Sequence, residues 1–345
     1  MKRLLHLSVI VILTVVFIGL FLHNSNLGDV WRLMRGTNPF WLALAFVINE
    51  LALVFRTLRW RTILSADDPP PFYSAFFANG VGYMLSTVLP IRAGDVARPA
   101  LLARRSTIPF AVALGTVLTE RVIDLVSILT LFVWFALARW QQFSTDPRTS
   151  AAFFIIKAGA IGAIITLVLI VAFIVGLFFF RATVRRAHAV LGRVLPQRFR
   201  EPWMHFFDSF VSSLDLIRAP RALAKVVGCT AGVWFCLTTQ FSFTAIAMHH
   251  SLPFDASFFV TGITTLGLAI PTPGGVGGFH KACQLVLTKF YMFDIDTSVA
   301  VAILFHIVGT VPVLLTGLLL TLREGLNWKQ LRHEAEDAPV DTRQL

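Results

Sequence analysis

The chain has 345 residues, of which 56% are hydrophobic and only 14% charged. Soluble domains carry about 25% charged residues, and here the apolar excess is gathered into long runs, which excludes a water-soluble enzyme and any disordered or collagen-like chain. Lys and Arg number 30 against 19 Asp and Glu, a net charge of +11. The basic residues sit between apolar runs, the pattern of a multi-pass inner-membrane protein and not of a nucleic-acid binder.

A membrane-crossing helix needs about 20 mostly apolar residues. The first such run is Leu4–Leu22. Lys2 and Arg3 would suit a signal peptide, but the run is long and Leu22-His23-Asn24 offers no small-residue cleavage site, so it reads as a retained helix. Pro39–Phe55 is the second span, followed by Arg56, Arg59 and Arg61. Val122–Ala138, Phe153–Phe180, Ala222–Ala247 and Thr297–Leu322 complete six spans. Basic residues cluster at Lys2/Arg3, Arg56–Arg61, Arg181–Arg221 and from Arg323 onward. Holding all four in the cytoplasm puts both termini there.

Two apolar regions remain, Phe72–Leu118 and Ala256–Met292. Each must begin and end on one side for the charges to agree. The first is interrupted by Pro90-Ile91-Arg92-Ala93-Gly94-Asp95 and the second by Pro271-Thr272-Pro273-Gly274-Gly275-Val276-Gly277-Gly278. Non-helical backbone at membrane depth survives only when buried in protein or lining a polar cavity. Both regions therefore read as broken helical hairpins, either re-entrant or complete pairs. The expected fold is an all-α polytopic membrane protein, with six spanning helices and two broken hairpins in one transmembrane domain over residues 1–322. The order helix, helix, hairpin, helix occurs twice from opposite sides. That is an inverted-topology repeat, which points to a midplane binding site.

Within residues 181–221, Trp203, Phe206, Phe207, Phe210, Val211, Leu214 and Ile217 recur at helical spacing after Glu201-Pro202, as in an amphipathic helix on the cytoplasmic lipid surface. Residues 323–345 read as a disordered cytoplasmic tail.

Charges inside membrane segments are costly and are functional candidates. The first group is Arg92, Asp95 and Arg98. The second is Glu120, Arg121 and Asp124, placed at the start of a span. Glu120 and Asp124 lie four apart on one helix face, and two carboxylates there repel unless a cation separates them, Arg92 or Arg98 being the candidates. The cluster either binds a phosphate-bearing lipid head group through arginine or holds a hairpin as a structural ion-pair network. The glycines of Pro271–Gly278 allow close backbone approach and free amides suited to an anion, or merely a tight buried bend. His280 and Lys281 follow, Lys281 either meeting a phosphate or snorkelling to the membrane surface. No ligand-spaced His cluster or serine-elbow motif occurs, and Cys229, Cys236 and Cys283 lie in apolar stretches. Neither a metal nor a cofactor is expected.

At these residues the sequence resembles the lysylphosphatidylglycerol synthase transmembrane family, also called flippase-like integral membrane proteins. The resemblance covers about Leu4 to Leu322. It rests on Arg56–Arg61, on Leu89-Pro90-Ile91-Arg92-Ala93-Gly94-Asp95 with Arg98, on Glu120-Arg121 with Asp124, and on Pro273-Gly274-Gly275 with Gly277. The family commonly has Glu at the position of Asp95, and Glu at the position of His280. The resemblance implies movement of a charged or glycosylated lipid between leaflets. The soluble synthase domain of bifunctional members is not seen before Leu345, so aminoacylation by this chain is not expected. Other members are linked to hopanoid or polyprenyl-glycolipid pathways.

Three functional readings follow. The favoured one is a non-enzymatic lipid translocase driven passively or by a gradient, since no ATP-binding motif occurs. The runner-up is an intramembrane enzyme or a subunit of a lipid-modifying complex. The third is a scaffold for a lipid-synthesis complex. The expected partners are an anionic or phosphate-bearing membrane lipid and a lipid-synthesis enzyme on a separate chain, with no nucleic acid. A homo-oligomer is compatible with the sequence.

Overall fold

The computed structural model describes residues 2–65, 68–88, 94–145, 150–180, 218–268 and 272–325, with isolated positions between 204 and 216. Those residues form helices and connecting turns, with no strand among them. The helices are α1 (Lys2–Leu22), α2 (Leu27–Arg35), α3 (Pro39–Leu64), α4 (Phe72–Val88), α5 (Gly94–Ala103), α6 (Phe110–Ala138), α7 (Trp140–Thr145), α8 (Ser150–Phe179), α9 (Pro220–Ala247), α10 (Phe254–Gly267), α11 (Gly278–Phe290) and α12 (Ile295–Arg323). A short 3-10 turn, Pro273–Gly275, precedes α11.

Local chemistry sets several starts. The Asn38 side chain accepts from the Phe40 amide at 3.0 Å, and Pro39 supplies a preset φ at the first turn of α3. Asp294 accepts from the Thr297 amide at 2.9 Å to open α12. Helices α3, α6, α9 and α12, with residues 156–177 of α8, are long and apolar enough to cross a membrane. Helix α1 and α2 form a sixth such unit, bent by 79°. Five of the expected spans are thus single helices; the first, expected as Leu4–Leu22, passes as Ile12–Leu22 only together with α2.

Two boundaries differ from the sequence expectation. Helix α3 continues to Leu64, so Arg56 and Arg59 lie inside the bundle and not in a loop; Arg59 is 1% exposed. Helix α6 begins at Phe110, so Glu120, Arg121 and Asp124 sit in its middle. The first hairpin accordingly ends at Ala103 and not at Leu118. Apolar windows stop at charges; helices do not, provided the charges find partners. The amphipathic segment falls almost wholly outside the described residues. Of it, Phe210 is buried with Leu177, against Val122 and Ile174.

The hairpin arms are short. By the rise of an α-helix, α4 (17 residues) and α5 (10 residues) reach about 25 and 15 Å, and α10 (14 residues) and α11 (13 residues) about 20 Å. The hydrocarbon core is about 30 Å thick. Both ends of each hairpin lie on one face of the bundle. Tyr73, at the start of α4, donates to Glu324 at 2.8 Å, and Arg105, just past α5, pairs with the same carboxylate at 2.9 Å. At the opposite face, Asp255 in α10 pairs with Arg139 beyond α6. There too the amide of Asn26 donates to Asp296 at 2.7 Å, and that of Asn38 to the carbonyl of Ala247 at 2.8 Å. The two hairpins thus open on opposite faces.

Each hairpin closes where glycines cross. A Cβ on Gly94 would collide with the Gly82 carbonyl, and one on Gly267 would fall 2.6 Å from the Gly278 carbonyl. Lipid tails are as apolar as Leu, so in a membrane such close packing, and not burial from water, holds helices together. The two tips meet. A Cβ on Gly274 would lie 3.3 Å from the Thr87 carbonyl at the end of α4.

Candidate functional site

Helix α6 supplies Glu120, fully buried, with arginines on both sides. Arg59 of α3 donates to Glu120 at 3.3 Å and to Asp124 at 2.6 Å, and reaches the Thr230 hydroxyl of α9 at 3.5 Å. Arg98 of α5 pairs with the other Glu120 oxygen, reaches the Tyr83 hydroxyl at 3.3 Å, and lies 4.5 Å above the Trp60 ring. Arg121 joins Asp95 at 3.0 Å and Asp124 at 3.4 Å. Asp95, Arg98, Glu120, Arg121 and Asp124 are therefore brought together, as the sequence grouping expected.

The separating cation is different. Arg59 bridges Glu120 and Asp124, where Arg92 or Arg98 was expected; Arg98 meets Glu120 alone. The extension of α3 past Phe55 carries Arg59 into the seam. A signal was available. Ala45, Asn49, Ala52, Leu53 and Trp60 form one buried helical face of α3, and Arg59 falls on it. Arg92, Pro90 and Pro271 lie outside the described residues.

The cluster is graded from sealed to open. Arg59, Arg98 and Glu120 are 0–1% exposed, whereas Asp95, Arg121 and Asp124 are 22–32% exposed. Arg56 stands beside it, its guanidinium 4.9 Å over the Tyr83 ring. Among the described residues, four guanidinium groups thus face three carboxylates, leaving one positive charge in excess. The Nε donors of Arg98 and Arg121 are buried without a partner among the described residues. Gly94 contributes by letting α5 lie against α4.

His280 and Lys281 lie elsewhere, on α11. The His280 ring is buried 4.6 Å from the His306 ring of α12 and 5.0 Å from Phe21. Lys281 donates to the Leu20 carbonyl at 2.8 Å and to Gln284 at 2.7 Å, tying α11 to α1. The bend before α11 holds Gly274, Gly275 and Gly277 at φ of 61°, 72° and 103°, open to glycine and strained for other residues. Pro273 begins the 3-10 turn. The Gly277 amide donates to His280 Nδ1 at 3.4 Å, so one of the amides considered for an anion is already engaged. All three cysteines are free and buried, and no group of metal-ligating side chains occurs among the described residues.

A polytopic helical bundle, with two broken hairpins opening on opposite faces and an arginine–carboxylate cluster inside, defines the class: a multi-pass membrane protein. The family described as "Lysylphosphatidylglycerol synthase TM region" matches residues 5–317, and the chain belongs to that family. It is 32% identical over 151 residues to a UPF0104 membrane protein of Methanothermobacter thermautotrophicus, covering 41% of this chain and 42% of that protein. It is 24% identical over 340 residues to the glycosyltransferase AglD of Haloferax volcanii, covering 89% of this chain and 52% of that protein. A UPF0104 membrane protein of Methanocaldococcus jannaschii is 24% identical over 237 residues, covering 68% and 91%. The chain spans about half the length of the first two of these relatives.

Proposed function

We propose that the chain binds a lipid with an anionic, phosphate-bearing head group and moves it between leaflets. The observation that carries this reading is the surplus of guanidinium donors over carboxylates in the cluster. Arginine matches phosphate oxygens with a planar pair of donors. Beyond the pairs that Asp95, Glu120 and Asp124 make, the described cluster holds one further guanidinium, Arg56, which faces the Tyr83 ring and pairs with no carboxylate. The partly exposed side at Asp95, Arg121 and Asp124 gives a head group its approach. Family membership and the oppositely opening hairpins support a transporter over a scaffold. In this reading the protein resides in an inner membrane with both termini in the cytoplasm, the face carrying Arg61, Arg105 and Arg323. A lipid-synthesis enzyme on another chain supplies the substrate.

The test is Arg56→Gln. It removes the surplus charge and strands no carboxylate, so the protein should fold. In reconstituted vesicles it should lose movement of a fluorescent phosphatidylglycerol while remaining monodisperse. A folded Arg56→Gln protein that moves the lipid as well as wild type sinks the head-group assignment.

A second reading rests on AglD, whose name marks it as a glycosyltransferase and half of which this chain resembles. Here the chain serves as the membrane part of a lipid-modifying complex. Incubating the purified protein with lipid acceptors and activated sugar or aminoacyl donors decides it. A new covalent lipid product by mass spectrometry would favour that reading.

A further inference from the structure

Glu50 stands apart from every other carboxylate at membrane depth. It is the twelfth of the 26 residues of α3, about 17 Å along the helix. Asp95, Glu120 and Asp124 each have an arginine. Glu50 has none within ion-pair distance among the described residues. Of the helices packed on α3, only α12 presents it with a polar contact: the Thr316 hydroxyl donates to Glu50 Oε2 at 2.9 Å. No charged or titratable group from α4, α6 or α9 acts on it. Its Oε1 is buried and unpartnered.

One donor satisfies the carbonyl oxygen of a neutral carboxylic acid. It does not satisfy a carboxylate, whose two oxygens share a full charge in a medium that cannot screen it. We propose that Glu50 is a proton-binding site, neutral when the α3–α12 seam is closed as here. Binding transfers a proton from water to Oε1, and release returns it to water and leaves a carboxylate that the seam must open to hydrate.

Backbone bonding along the seam is interrupted at one place. Helix α12 contains Pro312, which cannot donate to the carbonyl of Val308. Around that break, polar side chains grip the backbone of α12: Asn49 donates to the Gly309 carbonyl at 3.2 Å and Gln240 to that of Phe305 at 3.3 Å. An apolar groove lined by Phe46 and Val47 on α3 and by Ile307, Val308 and Val311 on α12 runs along the same two helices. Glu50, one helical turn beyond Phe46, does not line it, but its side chain is only half-buried, which leaves it open to a small reagent. The role of the proton as the coupling ion rests on the lipid-translocase reading; the proton site itself does not.

The experiment uses the full chain in lipid nanodiscs. Infrared spectroscopy at neutral pH should show the C=O stretch of a protonated carboxylic acid, lost in Glu50→Gln. Dicyclohexylcarbodiimide, which reacts with protonated intramembrane carboxyls, should label the Glu50 peptide. Labelling should fall by about tenfold for each pH unit above the transition, persist in Glu50→Asp and vanish in Glu50→Gln. Identical infrared spectra for wild type and Glu50→Gln would overturn the proton site. In vesicles, wild-type lipid movement should respond to an imposed pH gradient and Glu50→Gln should not. Movement by wild type that ignores the gradient overturns the coupling role. If wild type moves no lipid at all, the translocase reading fails, and with it the coupling role, while the infrared result still decides the site.

Discussion

The α4/α5 and α10/α11 hairpins share a backbone plan and differ in what fills it. Both are short-armed, both close where glycines cross, and their tips touch. Yet α5 brings Asp95 and Arg98 into an ionic cluster shared with α3 and α6, whereas α10 and α11 bring rings. Phe259 stacks on Phe135 at 4.1 Å and meets Phe290 edge-on at 5.6 Å. His280 sits among Phe21, Phe279 and His306. A broken hairpin can thus be held by aromatic packing as in α10/α11, or by ion pairs that tie it to α3 and α6 as in α4/α5.

The largest test of this contrast is Glu120→Gln. It leaves the buried Arg98 guanidinium without its carboxylate and takes one of two carboxylates from Arg59, and should cost about 3–5 kcal/mol, read from thermal unfolding of the detergent-solubilised protein. In the other half, His280→Phe should cost less, about 1–3 kcal/mol, because a ring replaces a ring and only the long bond from the Gly277 amide is lost. Equal losses would erase the distinction. Next come Gly94→Val and Gly267→Val, which force side chains into both crossings and should each cost about 1–3 kcal/mol. If only one is sensitive, the two hairpins do not share a closure.

A double-mutant cycle with Phe135→Leu and Phe259→Leu should then give a coupling of about 0.5–1.5 kcal/mol. A coupling of zero would remove the stacking argument for the second half. The smallest effect is at the mouth of the first hairpin. The Arg105 guanidinium, and next the Tyr73 hydroxyl, hold the Glu324 carboxyl below the usual carboxylate range. A depressed carboxyl stabilises the fold above its unfolded-state value, and that contribution disappears as pH falls through its folded-state value. Hydrogen exchange at the start of α4 should accelerate in that acidic window, and Glu324→Gln should abolish the acceleration. An unchanged acid response in Glu324→Gln would place the contact outside the hairpin's closure.

The six spans, both broken segments and five members of the charged cluster were legible because apolar runs and misplaced charges are local signals. Arg59 was not, since Pro39–Phe55 already satisfied the length of a span and the following arginines suited a cytoplasmic loop. Only the α3 face shared with Asn49 and Trp60 marked it. The start of α6 was missed for the same reason: Thr119 to Asp124 lowers hydropathy while the helix runs on, its charges neutralised by α3 and α5. Glu50 escaped because a single acid in a span carries no spacing to read. Its meaning lies in Thr316, far away in sequence.

The glycine crossings have a diagnostic consequence. Gly82 and Gly94 stand twelve apart around Pro90, and Gly267 and Gly278 stand eleven apart around Pro271 and Pro273. The spacing follows from geometry: one arm must finish, the chain must turn, and the second arm must pass back over the first near its own start. In this chain a glycine bracket of that width around a proline, inside an apolar stretch, marks each hairpin that returns to the face it came from. Hydropathy alone sees only the apolar stretch and does not tell such a return from a crossing.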